Sequence, residues 1–191
     1  MSIKSKFYKL RRLASPKVLP DFVYRMDDRP EAFVKANGLQ PKGYRTDGVP
    51  GQFGPANPGV SVIEHVKKTS DATGASINSV DPWISFFVWE ALQPISPAVN
   101  AFMHGYVNGK IYMVDTATAV ANGYHFYYAN EVFDLAERRQ EAAQYRGQKE
   151  WSGFGVLPAV SVRFVLPVPT LMANLAGFYA PAPMTLPWTG M

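Results

Sequence analysis

Residues 22–43 read FVYRMDDRPEAFVKANGLQPKG and open on an alternating pattern. Phe22, Tyr24 and Met26 recur at every second position, which is the period of a half-buried β-strand. The residues that follow have a helical pattern that ends at Gly38, and glycine is a common helix terminator. The segment therefore predicts a strand followed by a short helix.

Three charged residues, Arg25, Asp27 and Arg29, share this strand and the turn after it. Each is costly to bury without a partner, so their position among apolar residues needs a reason. One interpretation is a surface cluster of salt bridges. The other interpretation is a charged binding site. Motifs elsewhere in the sequence are needed to choose between the two interpretations.

The composition predicts one folded domain preceded by a basic arm. The chain has 191 residues, 47% hydrophobic and 18% charged, which is enough for a full core. Residues 1–20 hold six basic residues and no acidic one, whereas the whole chain carries +4, which leaves −2 on residues 21–191. We expect residues 1–20 to be an arm or linker. Such an arm suits nucleic-acid or membrane phosphates, although a solvated linker is the more common case.

The sequence contains no cysteine, so no disulfide holds the fold. This absence fits a protein that works in a reducing cytosol. No apolar run approaches the length of a membrane span, and no apolar region follows the basic N-terminal residues. Neither a membrane span nor a secretory signal is therefore predicted. Export would need another route or a larger parent chain.

Helical and strand patterns are mixed along the chain. SVIEHVKKTSD predicts a short helix in which Ser61 and Glu64 have the spacing of a capping box. SVDPWISFFVWEALQ predicts a second, buried helix with Asp81 at its N-cap and Pro82 at its first position. GKIYMVDTATAV predicts a strand, NEVFDLAERRQEAAQYRG an amphipathic helix that ends at Gly147, and FGVLPAVSVRFVLPV further strands.

The order of these elements indicates the fold class. Residues 40–60 are dense in Gly and Pro and predict an irregular loop at the mouth of a site. Strands lie scattered among helices without a regular strand–helix–strand alternation. The sequence therefore predicts an α+β fold rather than a parallel sheet.

Several kinds of chemistry find no support in the motifs. The sequence has no P-loop, no G-x-G-x-x-G after a strand and no G-x-S-x-G elbow. His65, His104 and His125 lack the spacing and the cysteine partners of a metal site, so no metal is predicted. What remains is a dispersed set: Arg25 on a strand, His65 on a short helix, and the segment GQKEW at residues 147–151.

Four stretches together resemble one enzyme family. VYRMDDRPEAFVKANGLQPKG resembles the start of the catalytic subunits of pertussis toxin and cholera toxin. VIEHV is similar to that family's helix with a cleft histidine, and NGYHFYYANEVFD to a segment after its central strand. QKEWSGFGVLPAVSVRFV resembles its Gln-x-Glu or Glu-x-Glu motif and the strands that follow. The matches occur in the family's order over residues 22–166. The family is the Arg–Ser–Glu class of bacterial mono-ADP-ribosyltransferase toxins.

The resemblance implies a fold and a reaction. Residues 21–191 would form an ADP-ribosyltransferase domain, with two small packed β-sheets flanked by helices and an NAD cleft between them. NAD would be the co-substrate. The enzyme would cleave its nicotinamide–ribose bond and transfer ADP-ribose to a macromolecular acceptor, with slow hydrolysis of NAD when no acceptor is present.

The resemblance also implies catalytic residues. Glu150 would be the carboxylate that stabilises positive charge on the ribose during bond cleavage. Arg25 would bind the phosphate side of NAD, and Gln148 would face the acceptor. His65 would donate a hydrogen bond to the ribose or accept a proton from the acceptor. Tyr24, beside Arg25 on the strand, would line the cleft wall or pack in the core.

Two further parts of the implied site are the neighbours of Arg25 and the strand that orients the glutamate. Asp27, with Arg29, is expected to hold Arg25 and the adjoining loop in register at the NAD site. The family's Ser-Thr-Ser strand orients the catalytic glutamate, but GASINSVDP stands at the corresponding place. Spacing from the histidine puts Asn78 and Ser79 in the first two positions, with Ser76 as a shifted alternative.

The acceptor and the setting follow from the same resemblance. A protein acceptor is expected, with RNA or DNA as the alternative because of the basic arm. Gln148, where a second carboxylate would help to deprotonate a guanidinium, argues against an arginine acceptor. We expect a secreted or delivered effector that acts in the cytosol of the target cell, with a neutralising immunity protein, a delivery subunit or a parent chain. A catalytically inactive NAD-fold binding module is the alternative of another class.

Overall fold

Two antiparallel β-sheets form the centre of the computed structural model, which describes residues 17–41, 58–143 and 149–191. One sheet has the strand order β1 (Phe22–Asp27), β3 (Lys110–Asp115), β6 (Val162–Pro167) and β7 (Thr189–Gly190). The other has the order β2 (Trp83–Phe86), β5 (Trp151–Phe154) and β4 (Phe126–Tyr128). The predicted α+β class with two small sheets is confirmed.

Short helices surround the sheets. They are α1 (Glu31–Asn37), α2 (Val62–Lys67), α3 (Pro97–Gly105), α4 (Thr116–Ala121), α5 (Ala129–Leu135), α6 (Arg139–Ala142) and α7 (Val168–Ala173). Turns of 3₁₀-helix cover Trp89–Leu92, Ala159–Ser161 and Pro183–Thr185. Among the described residues, no helix has both the length and the apolarity that crossing a membrane requires.

The two sheets meet where β1 passes the end of β2. The Tyr24 N–H donates to the Phe87 carbonyl at 2.9 Å, and the Phe87 N–H donates back to Tyr24 at 2.8 Å. This exchange brings Arg25 on β1 beside Ser85 on β2. The junction therefore places residues of both sheets in one site.

Helix α2 is fixed against the smaller sheet by its apolar side. Val62, Ile63 and Val66 are buried in one cluster with Trp83 of β2 and Phe133 of α5. The predicted capping box at the start of α2 is confirmed by reciprocal side-chain hydrogen bonds. The apolar residues of α2 are spaced so that they lie on one side of the helix, and this side faces the smaller sheet.

The strand and helix predicted from residues 22–38 are both confirmed. Gly38 ends α1 with φ +72°, in the left-handed region that favours glycine. A Cβ there would lie 1.9 Å from the carbonyl oxygen of Leu157, because residues 39 and 157 pair their backbones. Glycine is required at this position for both its conformation and its size.

The helix predicted over residues 79–93 is wrong, because these residues form β2 and a short 3₁₀-helix. The Asp81 carboxylate accepts the Trp83 N–H at 3.1 Å, which is a capping type of contact. The chain nevertheless continues as a strand, paired with β5 over its whole length. The predicted helix N-cap at Asp81 is therefore also wrong, and its carboxylate instead holds a turn that leads into the strand.

The predicted extents of two later segments also need correction. The helix predicted over residues 130–147 is divided into α5 and α6, with Glu137 at φ +60° between them, and residues 144–148 lie outside the described part. The strand predicted from GKIYMVDTATAV ends at Asp115, whose carboxylate caps α4. The loop predicted over residues 40–60 lies mostly outside the described residues, which exclude 42–57.

The predicted basic arm is described only in its last four residues, since residues 1–16 lie outside the described part. Leu19 packs against the core, and the Pro20 carbonyl accepts the Thr116 hydroxyl at 2.6 Å. Residues 17–20 therefore rest on the folded body.

Candidate active site

Arg25 lies at the junction of the two sheets. Its Nη1 donates to the Ser85 carbonyl at 3.1 Å, and its Nε lies 3.7 Å from the Asp27 carboxylate. The side chain as a whole is 19% exposed, whereas its Nε is buried. Arg25 can thus bind an anion while β2 and Asp27 hold it in place.

Asp27 is occupied by Arg29. Its Oδ1 accepts the backbone N–H of Arg29 at 3.0 Å and the Nε–H at 2.8 Å, and Oδ2 accepts from Nη2. Arg29 Nη2 also donates to the carbonyl of Gln40 at 2.6 Å, which ties down the chain after α1. Burial would raise the pKa of Asp27, but the hydrogen bonds of Arg29 and the charge of Arg25 outweigh it and lower that pKa.

His65 on α2 stands between two carboxylates. Its Nδ1 is 2.6 Å from Asp81 Oδ2, and its Nε2 is 3.0 Å from Glu150 Oε1. The Ser85 hydroxyl lies 3.0 Å from the same Nε2. The imidazole is buried, so these contacts fix the orientation of the ring.

Glu150 precedes strand β5 and is anchored by both its backbone and its side chain. Its carbonyl accepts the Ala129 N–H at 3.0 Å, and its Oε1 accepts the Ser152 hydroxyl at 3.1 Å. Burial would raise the pKa of Glu150, but the hydrogen bond and charge of His65, the charge of Lys68 and the Ser85 hydroxyl lower it to about 2. The carboxylate is therefore ionised at neutral pH.

Lys68, at the end of α2, places a positively charged ammonium group beside His65. Its Nζ lies 3.3 Å from His65 Nδ1, 3.5 Å from the Ser85 hydroxyl and 3.7 Å from Asp81. Burial would raise the pKa of Asp81, but His65 and Lys68 lower it. The two carboxylates of the site are therefore faced by a lysine and a histidine.

An ion-pair network outside this site ties α2 to the segment that leads towards Glu150. Lys67 Nζ lies 2.7 Å from Asp71 and 3.1 Å from Glu141 of α6. Arg138 Nη2 donates to Asp71 at 3.1 Å, and its Nε donates to Glu141 at 2.6 Å. The network connects the helix of the histidine with the helices before the glutamate.

The structure brings together three of the residues expected to be catalytic, Arg25, His65 and Glu150. Arg25 donates to the carbonyl of Ser85, the hydroxyl of Ser85 contacts His65, and His65 contacts Glu150. Gln148 lies outside the described residues. Ser85 is thus the residue that joins the two halves of the site.

The residues expected to orient Glu150 lie elsewhere. Asn78, Ser79 and Ser76 are exposed, and the described hydrogen bonds place none of them on Glu150. Ser85 occupies that place instead, since β2 begins later than the spacing from the histidine indicated. The signal was the run WISFF, where one polar residue interrupts an apolar strand pattern.

Two residues expected at the NAD site are closed off by protein contacts. The Tyr24 ring is buried and packs against Trp89 at 4.9 Å, Phe87 at 5.7 Å and Trp188 at 6.0 Å between ring centres. Asp27 is buried and occupied by Arg29. Tyr24 is therefore core, and Asp27 acts through the arginines rather than on a ligand.

The site combines the fixed, ionised carboxylate of Glu150 with the partly exposed side chain of Arg25. Among the described residues, no group of three or more His, Cys, Asp or Glu side chains is arranged to hold a metal ion. Such a carboxylate can stabilise a developing positive charge, and the guanidinium can bind paired anionic oxygens.

Comparison with known proteins gave matches among solved structures. No protein-family model and no curated protein sequence matches the chain. A variant of the scabin toxin from Streptomyces scabies is 18% identical with a TM-score of 0.47, over 95% of this chain and 82% of that one. The structure named EcPltA is 17% identical with a TM-score of 0.43, over 76% and 74% of the two chains.

A double mutant of heat-labile enterotoxin is 18% identical with a TM-score of 0.43, over 76% of this chain. The match spans only 57% of the enterotoxin chain. Two of these three structures carry the name of a toxin.

Proposed function

We propose that this chain is a mono-ADP-ribosyltransferase that cleaves NAD and transfers ADP-ribose to a macromolecule. One observation carries the proposal: Glu150, His65, Ser85 and Arg25 form one continuous chain of contacts across the junction of the two sheets. These are residue types of the Arg–Ser–Glu class, and they come together from three distant parts of the sequence.

The electrostatics of Glu150 suit the cleavage step. When the bond between the ribose C1′ and the nicotinamide nitrogen breaks, its electron pair leaves with nicotinamide and positive charge develops on the sugar. A carboxylate with its pKa lowered to about 2 stays ionised and can stabilise that charge more than it stabilises the ground state. A nucleophile, either water or an acceptor group, then bonds to C1′ and loses its proton.

Arg25 suits the other end of the substrate. NAD carries a pyrophosphate, and a guanidinium binds such paired oxygens through two parallel hydrogen bonds. The Arg25 side chain is partly exposed, and Ser85 and Asp27 hold it in place. The residues present therefore fit NAD as a co-substrate.

For the acceptor we propose a protein, with the chain acting as a toxin or effector domain that is secreted or delivered into a target cell. A neutralising partner or a delivery subunit would then accompany it. The second candidate is transfer to RNA or DNA, which the six basic residues within residues 1–20 favour. Incubation with labelled NAD and a cell lysate, followed by protease or nuclease, distinguishes the two by which treatment removes the label.

The experiment that tests the proposed function measures nicotinamide. Purified protein is titrated with NAD by calorimetry and then incubated with NAD for hours, and released nicotinamide is quantified by chromatography. We expect saturable binding and slow release without any acceptor. Protein that binds NAD but releases no nicotinamide, with or without lysate, would be an inactive binding module. Protein that does neither would overturn the proposal.

A further inference from the structure

We propose that Ser152 is a positioning residue that holds one oxygen of the Glu150 carboxylate and so presents the other to the reacting sugar. The inference rests on the proposed function and extends it to a residue of β5 that the sequence did not single out. It assigns separate tasks to the two carboxylate oxygens.

Two side-chain groups, the Ser152 hydroxyl and the His65 imidazole, converge on the same oxygen of Glu150. The Ser152 hydroxyl donates to Glu150 Oε1 at 3.1 Å, and His65 Nε2 lies 3.0 Å from the same atom. Ser152 is fully buried, so water does not compete for its hydroxyl. The rotation of the carboxylate is therefore restrained at Oε1 from two directions.

The contacts of Ser152 and His65 both fall on Oε1, and the Glu150 side chain is 10% exposed, so we infer that Oε2 faces the ligand. A carboxylate whose one oxygen is held by protein groups can direct the other towards the cleft. An ionised oxygen in that position is an acceptor for a ribose hydroxyl and lies near any positive charge on the sugar.

The register of the smaller sheet explains why Ser152 has this role. Ser152 of β5 pairs directly with Ser85 of β2 on one side and with Tyr127 of β4 on the other. Glu150 lies two residues earlier, and residues two apart on an extended chain point to the same side. The paired serines thus face the same site, with the Ser85 hydroxyl beside His65 and Glu150 and the Ser152 hydroxyl on Glu150.

Ser161 provides a matched control. It is as fully buried as Ser152, but its hydroxyl has no hydrogen-bond partner among the described residues. Ser152→Ala and Ser161→Ala therefore remove the same atom from equally buried positions. Only the first loses a bond to Glu150.

The test compares these two variants by kinetics. In Ser152→Ala we expect kcat for nicotinamide release to fall about tenfold, as for the loss of a hydrogen bond to a charged group. The dissociation constant for NAD should stay within about twofold, because the lost bond orients the carboxylate and does not touch the phosphates. Ser161→Ala should match the wild type in both quantities. Equal kcat values for the two variants would overturn the inference.

A second readout does not depend on catalysis. The Glu150 carboxyl can be titrated by NMR with ¹³C-labelled glutamate, with His65, Lys68, Asp81 and Ser85 as the groups that face it directly or through the histidine. Loss of a donor to the ionised form should raise the Glu150 pKa in Ser152→Ala and not in Ser161→Ala. If the wild type cleaves no NAD, the proposed function fails on its own, and this titration still decides whether Ser152 holds the carboxylate.

Discussion

At the scale of single residues, the difference between Arg25 and a lysine tests how the site holds its substrate. An ammonium cannot reproduce the two parallel hydrogen bonds of a guanidinium. We expect Arg25→Lys to weaken NAD binding by about tenfold, which corresponds to the loss of one charge-assisted hydrogen bond. Calorimetric titration measures the change, with Arg163→Lys as a control because Arg163 pairs with Asp115 of β3 instead. Equal affinities in both variants would exclude Arg25 from NAD binding.

The lowered pKa of Glu150 predicts how stability depends on pH. This pKa falls from an ordinary value of 4.5 to about 2 in the folded protein, so the carboxylate stabilises the fold above pH 4.5. That contribution is lost as the pH falls through 2. Between these values the unfolding free energy of the wild type should decrease more steeply than that of Glu150→Gln, by up to about 1.4 kcal/mol per pH unit. Denaturant unfolding at several pH values measures the slopes, and identical slopes would contradict the assignment.

The sequence predicted the catalytic candidates better than their surroundings. Arg25, His65 and Glu150 were predicted because each belongs to a recognisable short motif. Ser85 and Ser152 were not, because a polar residue in an apolar run such as WISFF marks a position on a sheet face only once the run is known to be a strand. Their importance depends on which strands pair, and strand pairing is a property of the tertiary structure.

At the scale of elements, the end of α1 depends on Gly38. Its φ of +72° disfavours any side chain, and a Cβ would also meet the Leu157 carbonyl at 1.9 Å. Gly123 has a similar φ of +81° but open space around it. We expect Gly123→Ala to cost about 1 kcal/mol of unfolding free energy from backbone strain alone.

Gly38→Ala should cost clearly more, because the backbone of residues 39 and 157 must separate to accommodate the methyl group. Thermal unfolding of the two variants measures the difference. Equal losses of stability would mean that the chain relaxes without cost where α1 meets the segment after β5.

Elements defined by local signals were predictable, and those defined by partners were not. The capping box of α2 and the glycine after α1 are local, and both were confirmed. Strand β2 was taken for a helix because a cap signal at Asp81 preceded an apolar run that fits either element. Pairing with β5 makes this run a strand, and the residues of the run do not themselves indicate that pairing.

At the scale of the whole molecule, deletion of the basic arm distinguishes a protein acceptor from a nucleic-acid acceptor. Residues 17–20 rest on the body, so the deletion should remove residues 1–16 only. We expect this deletion to leave nicotinamide release without an acceptor unchanged, because Arg25, His65 and Glu150 all lie outside the deleted segment.

The effect of the same deletion on labelling depends on the acceptor. With a protein acceptor, labelling from radioactive NAD in a lysate should not change. A loss of label that nuclease also removes would instead show that the arm recruits a nucleic acid, since phosphate contacts depend on such charges.

The most direct measurement compares nicotinamide release by the wild type, Glu150→Gln and Glu90→Gln at saturating NAD. Glu90 is an exposed glutamate on the 3₁₀-helix after β2, and its variant controls for the loss of a carboxylate as such. We expect Glu150→Gln to release nicotinamide at least about 10²-fold more slowly, with NAD affinity little changed, and Glu90→Gln to match the wild type. Equal release by the wild type and Glu150→Gln would contradict the assignment of this site as the centre of NAD cleavage.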